Sequence, residues 1–158
     1  MTTLTLRLNK EEEQIFNSIS GLYGGKLSTT IKQLALEKIE DEYDLQLIKD
    51  FESREEKGEV TLIEFDDLII FVQKGKFAVF IMYKIVFDEA IKKDLKKLDK
   101  QTLKILFNWI EKNLCNTDDP RSKGKALVGN KKGYWRYRIG DYRLITRIED
   151  DRLIIIAI

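Results

Sequence analysis

The segment "GYWRYRIGDYRLIT", residues 133–146, constrains the fold more than any other part of the chain, because it reads as a β-hairpin with a defined register. The Gly-Asp dipeptide at its centre is typical of a two-residue hairpin loop. Pairing outward from that loop sets Arg138 opposite Arg143 and puts Arg136 on the same face of the sheet. The rings and one leucine fall on the other face, where we expect them to form core: Trp135, Tyr137, Tyr142 and Leu144.

The shared arginine face indicates a phosphate site. Two arginines directly opposite each other repel and destabilise a strand pair unless an anion relieves the repulsion. Residues 121–147 hold nine Lys and Arg residues against one acid, a balance typical of nucleic-acid-binding surfaces. The alternative is a solvated charged face on an antiparallel sheet. Four loop lysines are either RNA-backbone contacts or solvated charges: Lys123, Lys125, Lys131 and Lys132.

Residue types that are absent or rare exclude several kinds of catalytic and metal site. The chain has no histidine, which removes the usual general base near neutral pH and the commonest ligand of transition metals, and we expect no metal and no cofactor. The single cysteine, Cys115, excludes an internal disulfide and fits a reducing cytoplasm. The longest uninterrupted apolar run, residues 77–83, is far shorter than the roughly 18–20 residues of a membrane span. The sequence therefore predicts a cytoplasmic protein without a membrane partner.

Charge divides the chain into two halves. Residues 1–80 carry 10 basic and 16 acidic side chains, a net of −6, whereas residues 81–158 carry 18 and 11, a net of +7. An acidic half followed by a basic half predicts two modules with complementary fields, and the acidic middle of the chain is expected to cover the basic face.

The N-terminal segment "TTLTLRL", residues 2–8, alternates strictly and predicts a strand with one buried face. Asn9 has capping-box spacing to Glu12 and predicts the start of a first helix. Ser28 is the expected cap of a second helix, which ends at about Tyr43. A lone strand with two short helices cannot bury its own apolar face, so we expect a homodimer in which two such strands pair.

Residues 1–45, beginning "TLTLRLNKEEEQIFNSIS", resemble the ribbon-helix-helix antitoxins of the RelB type. The resemblance implies a DNA-binding module whose paired strands enter the major groove of an operator. Its outward strand residues, Thr3, Thr5 and Arg7, would read bases, and the helix start near Ser28 would hold a backbone phosphate. The alternative is that these three residues only form the solvent-exposed face of a strand and contact no DNA.

Residues 46–81 hold the position of the tail and linker with which such antitoxins wrap their toxin. Within them, "DDLIIFVQKGKFAVFI", residues 66–81, is apolar and β-prone, where the family has a short polar helix and then stops. Met82 stands where a toxin would begin. We therefore hypothesise that a frame slip joined two reading frames, which sequencing of related loci would test.

The pattern of residues 82–158 predicts a strand, two helices and three antiparallel strands. Within them, the sequence "GKALVGNKKGYWRYRIGDYRLITRIEDD" resembles the RelE/ParE toxin family. The predicted fold class is thus α+β, with a ribbon-helix-helix module followed by a RelE-like module. RelE-type toxins cleave messenger RNA in the ribosomal A site with Lys and Arg side chains and without histidine. Arg136, Arg138 and Arg143 occupy the matching positions and would be catalytic, with the ribosome and mRNA as partners.

The family continues past its last strand with a basic residue and a tyrosine used in catalysis, whereas this sequence stops at Ile158. We therefore expect a restrained or impaired endoribonuclease joined to an operator-binding autorepressor. Tyr134 and Tyr137 are the nearest substitutes, although a tyrosine with a pKa of about 10 is a poor base. The alternatives are a ParE-like gyrase inhibitor and a degenerate DNA-binding regulator without toxin activity.

Overall fold

A computed structural model describes residues 3, 5–68, 83–115, 117–127 and 133–158. The chain divides into two compact units, an N-terminal unit of Met1–Tyr43 and a C-terminal unit of Asp44–Ile158. The segment 69–82, which includes Met82 and most of the apolar stretch 66–81, lies outside the described residues. The frame-slip hypothesis therefore stays a prediction.

Helix α1 of the N-terminal unit, Lys10–Ser20, begins with the predicted capping box. The Asn9 side chain accepts a hydrogen bond from the Glu12 backbone N–H at 2.9 Å, and the Glu12 carboxylate accepts one from the Asn9 N–H at 2.9 Å. Residues 3 and 5–9 have no regular secondary structure. A strand needs a partner for its hydrogen bonds, and the single chain supplies none among these residues, so the paired strand stays a prediction.

Helix α2, Leu27–Glu56, is continuous over 30 residues, so the predicted helix end near Tyr43 was wrong. Residue 28 lies inside the first turn and is not its cap. The helix stops at Gly58, which has a φ of 71°. The Gly58 N–H donates to the Glu55 carbonyl at 2.9 Å and the Glu59 N–H donates to the Arg54 carbonyl at 2.8 Å, the two bonds of a Schellman motif. The helix continues past Tyr43 because residues 44–56 are helix-prone and contain no glycine or proline that would stop it.

The C-terminal unit contains a six-stranded mixed sheet. Its strands are β1 (Leu62–Glu64), β2 (Lys84–Asp88), β3 (Lys125–Ala126), β4 (Tyr134–Ile139), β5 (Tyr142–Ile148) and β6 (Arg152–Ala157). The strand order is β1-β2-β6-β5-β4-β3, and β2 runs parallel to β6 while all other neighbours are antiparallel. The α+β prediction is confirmed at this level, with helices in the N-terminal part and a mixed sheet in the C-terminal part.

Between β2 and β3 the chain forms the two predicted helices. A 3-10 turn leads into the short helix α3 (Lys92–Leu95), and helix α4 (Lys100–Ile110) continues as a π-helix, Glu111–Cys115. Residues 65–68 are helical, which corrects the expectation of β structure from Asp66 onward. The reason is spacing: Phe65 and Leu68 are three residues apart, both are buried, and only a helical turn puts both into the same core.

Strand alternation sorts the core into two clusters, one on each face of the sheet. The first cluster contains Ile85, Phe87, Tyr137 and Leu144 together with the buried face of α4. The second contains the intervening residues of the same strands and is closed by the C-terminal half of α2, with these buried members: Ile48, Phe51, Val86, Leu127, Tyr134, Ile145, Ile154, Ile156 and Ala157. Both faces of this sheet are therefore covered, which decides what its arginines can contact.

A packing prediction follows from Gly124, which precedes β3. A Cβ atom at this position would lie 2.7 Å from Cε1 of Tyr137 and 2.9 Å from the carbonyl oxygen of Arg136. Because Tyr137 is fully buried and backbone cannot yield, Gly124→Ala should destabilise the C-terminal unit by about 1–3 kcal/mol in urea unfolding. Gly21→Ala is the control, since its Cβ would meet nothing within 4 Å. Equal stability of both variants would contradict the close approach.

Candidate functional site

The hairpin of β4 and β5 has the predicted register. Arg138 pairs with Arg143 and Arg136 pairs with Ile145, around a loop in which Gly140 has a φ of 61°. Tyr137 and Leu144 are fully buried in the first core cluster, and Trp135 and Tyr142 pack against it from partly buried positions. The prediction that Trp135, Tyr137 and Tyr142 lie on the face opposite the arginines is confirmed.

The face that carries the arginines is larger than the sequence reasoning indicated. It comprises Tyr134, Arg136 and Arg138 of β4 and Arg143, Ile145 and Arg147 of β5, and we call it the arginine face. Arg147 was missed, although the alternation that groups Arg143 with Ile145 continues to it. Lys125 of β3 pairs with Arg136 and extends the same face as an exposed cation.

At the start of the C-terminal unit, Asp44 neutralises this face from α2. Asp44 is fully buried, and its Oδ2 accepts a hydrogen bond of 2.7 Å from Nη1 of Arg136, which is 2% exposed. The Nε of Arg143 lies 3.4 Å from the other carboxylate oxygen. Two arginines of the shared face, Arg136 and Arg143, are thus neutralised in the folded chain by a carboxylate, where the sequence pattern had predicted a phosphate. Arg136 is buried because α2 lies over it, and the sequence analysis had expected the acidic middle of the chain to cover the basic face in this way.

Apolar packing holds the middle of the covering helix. Ile48 and Phe51, one helical turn apart, are 0% and 1% exposed in the second core cluster. The Phe51 ring also lies 5.1 Å from the guanidinium carbon of Arg147 and 5.8 Å from that of Arg54, both within the range of cation–π attraction.

The C-terminal end of α2 is fixed by two further ion pairs. Glu55 accepts two parallel hydrogen bonds of 2.6 Å from the Nη1 and Nη2 atoms of Arg147. Arg54 makes a bidentate pair with the buried carboxylate of Asp88, which also caps the turn after β2. Residues 44–56, which we call the covering segment, therefore hold the arginine face by carboxylates at both ends and by apolar side chains between.

The two tyrosines considered as proton carriers do not suit that role. Burial raises the pKa of Tyr134 to about 12. The Tyr137 hydroxyl donates a hydrogen bond of 3.0 Å to the Pro120 carbonyl in the core, and burial raises its pKa as well. Neither phenol is a proton acceptor near neutral pH.

The other predicted site residues are dispersed. Lys123 is exposed at the end of a 3-10 turn, whereas Lys131 and Lys132 lie outside the described residues. In the N-terminal unit Thr3, Thr5, Arg7 and Ser28 are all exposed. Ser28 also lines an apolar groove of about 540 Å³ in that unit, together with Leu6, Leu8, Leu27, Ile31, Lys32, Ala35 and Leu36.

The Glu55–Arg147 pair predicts a pH dependence. The hydrogen bonds from Arg147 lower the pKa of Glu55 below its ordinary value of 4.5. A carboxyl with a depressed folded pKa stabilises the fold fully above its unfolded pKa and loses that contribution as the pH falls through the folded one. The unfolding free energy of the wild type minus that of Glu55→Gln should thus be constant above pH 4.5 and shrink below it. We expect about 1 kcal/mol at most, because Glu55 is partly exposed.

Urea unfolding at a series of pH values measures this difference. Glu56→Gln, one residue along the helix, controls for the loss of one negative charge. A difference that stays constant down to pH 2 would show that the pair contributes nothing in the folded state.

The residues that the structure describes were also compared with the requirements of a metal site and of a membrane span. In those ranges no group of three or more Asp, Glu or Cys side chains is arranged to hold a metal ion. No helix there is both long and apolar enough to span a membrane.

Comparison with known proteins separates the two parts of the chain. Residues 85–158 match the model described as the ParE toxin of the type II toxin-antitoxin system parDE, and residues 1–70 match a family of unknown function, DUF6290. No curated protein matches the chain. Among solved structures, a chain of the toxin-antitoxin complex RelBE2 from Mycobacterium tuberculosis is 25% identical, over 49% of this chain and 95% of that one, with a TM-score of 0.41.

Proposed function

We propose, from the premise that residues 85–158 are a ParE/RelE toxin-family domain, that this chain is a type II toxin-antitoxin protein that inhibits itself. The covering segment acts as the inhibitor, and the arginine face acts as the toxin's working surface. The observation that supports this most is the buried pair between Asp44 and Arg136, at 2.7 Å, which joins the acidic half of the sequence to the basic half. In the covered state a phosphate cannot reach Arg136.

The activity that we propose for the uncovered domain is ribosome-dependent cleavage of mRNA. Arg136, Arg138 and Arg143 share one face of a rigid hairpin. Preorganised cations of this kind can orient a 2′-hydroxyl and stabilise the charge that develops on a transferring phosphate. Histidine is not required for that stabilisation, which agrees with a chain that has none.

Separate expression of the two parts tests the proposal. Residues 82–158 alone should stop growth and cut translated mRNA, and co-expression of residues 1–81 should restore growth. The matched control is the same fragment with Arg136, Arg138 and Arg143 replaced by Ala, which should be harmless. A fragment that is folded by circular dichroism and harmless would leave only a DNA-binding regulator.

A gyrase inhibitor is the second candidate, because the matching family model carries the description of a ParE toxin. The same fragment separates the two activities. Growth arrest with intact mRNA and accumulating DNA breaks would favour the gyrase inhibitor, whereas arrest with transcripts cut inside codons would favour the ribonuclease.

For the N-terminal unit we propose a ribbon-helix-helix dimer that binds its own operator. The proposal is supported by the exposed apolar side chains Leu6, Ile15, Leu36 and Ile39 of this unit, which are 49–64% exposed and would be buried between two copies. Thr3, Thr5 and Arg7 would then read bases, and the first turn of α2 near Ser28 would hold a phosphate.

Substitution of Arg7 tests the strand readout. Arg7→Ala should weaken operator binding at least about fivefold, since a good contact between a side chain and a base contributes about 1–3 kcal/mol. The dimer should persist in sedimentation, because in the proposed strand Arg7 would lie on the side away from Leu6 and Leu8. Lys10→Ala is the control for the loss of one nearby charge, and unchanged operator affinity of Arg7→Ala would refute the readout.

A further inference from the structure

The covering segment meets the arginine face at two carboxylates that share one side of α2. Asp44 and Glu55 are eleven residues apart, which corresponds to three helical turns within about 20° and to roughly 16 Å along the axis. Each carboxylate holds an arginine of β4 or β5. A few nucleotides cover the same length, since the phosphates of one strand in a duplex repeat at about 3.4 Å along the axis and those of an extended single strand are farther apart.

At the Glu55 end, the receiving side chains have the properties of a built anion site. Arg147 presents both terminal nitrogens to the Glu55 carboxylate, at 2.6 Å each, which is the fork geometry that suits carboxylate and phosphate alike. Its Nε lies 3.0 Å from the Glu149 carboxylate, which forms an ion pair with the guanidinium without hydrogen-bond geometry. Arg152 also pairs with Glu149 and adds a second positive charge toward Glu55.

Two neighbouring groups shape this site further. Phe51 stacks under the Arg147 guanidinium. The Tyr134 ring is buried on the same face, on β4 directly opposite Arg147 of β5. Arg147 and Arg152 both attract the Glu55 carboxylate and lower its pKa. The helix thus supplies the anionic group that these two cations hold.

We infer that Arg147, with Tyr134 and Arg152 beside it, is a phosphate subsite for a single RNA strand on the arginine face, and that Glu55 occupies it as a mimic of the phosphate. The covering segment is then a structural imitation of the substrate backbone, with Asp44 at one phosphate position and Glu55 at another. This inference rests on the proposed ribonuclease function for the class of ligand. It adds to the three hairpin arginines a fourth cation whose role is to bind the strand away from the reacting phosphate.

Removal of the mimic in the full chain tests the inference. The probe is a short 2′-O-methyl RNA oligonucleotide, which cannot be cleaved through its 2′ position, and the readout is fluorescence anisotropy over a salt series. Glu55→Ala should bind the probe at least tenfold more tightly than the wild type. In Glu55→Ala/Arg147→Met affinity should return to the wild-type level, and the slope of log Kd against log salt should fall by about 0.7, the value for one phosphate contact on a single strand.

Two controls keep the outcomes separate. Glu56→Ala removes a neighbouring exposed carboxylate and should bind like the wild type. Glu55→Ala/Arg147→Lys keeps the positive charge but lacks the two terminal guanidinium nitrogens, so it should bind the probe with intermediate affinity. This variant still tests the inference if the Arg147→Met variant does not fold. Any nucleic-acid binding by the N-terminal unit is common to all variants and cancels in the comparison.

Equal affinity of Glu55→Ala and its Arg147 double variants would overturn the subsite. Displacement of the probe by inorganic phosphate, but not by chloride of the same ionic strength, would show a site for free anions. It would overturn the assignment of an RNA strand as the ligand. Because the probe is not cleaved, a positive result stands even if the domain proves inactive on mRNA, and a negative result leaves the growth experiment unaffected.

Discussion

Asp44→Ala is expected to destabilise the C-terminal unit by about 3–5 kcal/mol. The reason is that Arg136 remains charged at neutral pH while its 2% exposed side chain loses the carboxylate that neutralises it. Arg143 loses the same partner but is 28% exposed and can turn toward water. Urea unfolding followed by circular dichroism measures the change in unfolding free energy.

A matched pair of variants isolates the ion pair from the helix. Asp50→Ala removes an exposed carboxylate of α2 that accepts a hydrogen bond from Gln46, and it should cost less than about 0.5 kcal/mol. Asp44→Leu/Arg136→Met replaces both partners by apolar side chains and should recover most of the stability. The reason is that the single variant is destabilised mainly by the buried charge left without a partner, which the double variant lacks. If the single and double variants are equally unstable, Asp44 acts through helix packing instead.

The hairpin could be predicted from the sequence because all of its determinants are local. A two-residue loop and a period of two fix every cross-strand pair, and no distant residue has to be known. Arg147 was within reach of the same rule, which requires only that the alternation be followed two residues beyond Ile145.

The partners of those arginines could not be predicted in the same way. Asp44 is 92 residues from Arg136 in the sequence, as Glu55 is from Arg147, and both carboxylates belong to a segment whose charge pattern is that of any solvated helix. The early end assigned to α2 had the same origin: the stop signal is Gly58, and the tertiary contacts of Ile48 and Phe51 hold the helix together before it. Charge complementarity between the halves was predictable, but the pairing was not.

Phe51→Asp in the full chain is expected to release the covering segment and, on the proposed function, to stop growth. Phe51 is 1% exposed between the two ion pairs, and loss of a buried aromatic side chain costs about 3–5 kcal/mol. Since each 1.4 kcal/mol changes an equilibrium tenfold, the fraction of uncovered domains should rise by roughly 100-fold or more. Colony counts after induction, together with primer extension on translated transcripts, measure the effect.

Release and toxicity can be separated by three comparisons. Lys49→Asp places the same charge on the exposed side of the same helix and should leave both growth and covering unchanged. Phe51→Asp/Arg143→Ala should be released like the single variant but harmless, because the arginine face then lacks one of its cations. Hydrogen exchange of residues 44–56 shows release independently of any activity. A folded Phe51→Asp protein whose covering segment exchanges freely, while cells grow normally, would mean that the arginine face is held closed for stability and not to restrain a toxin.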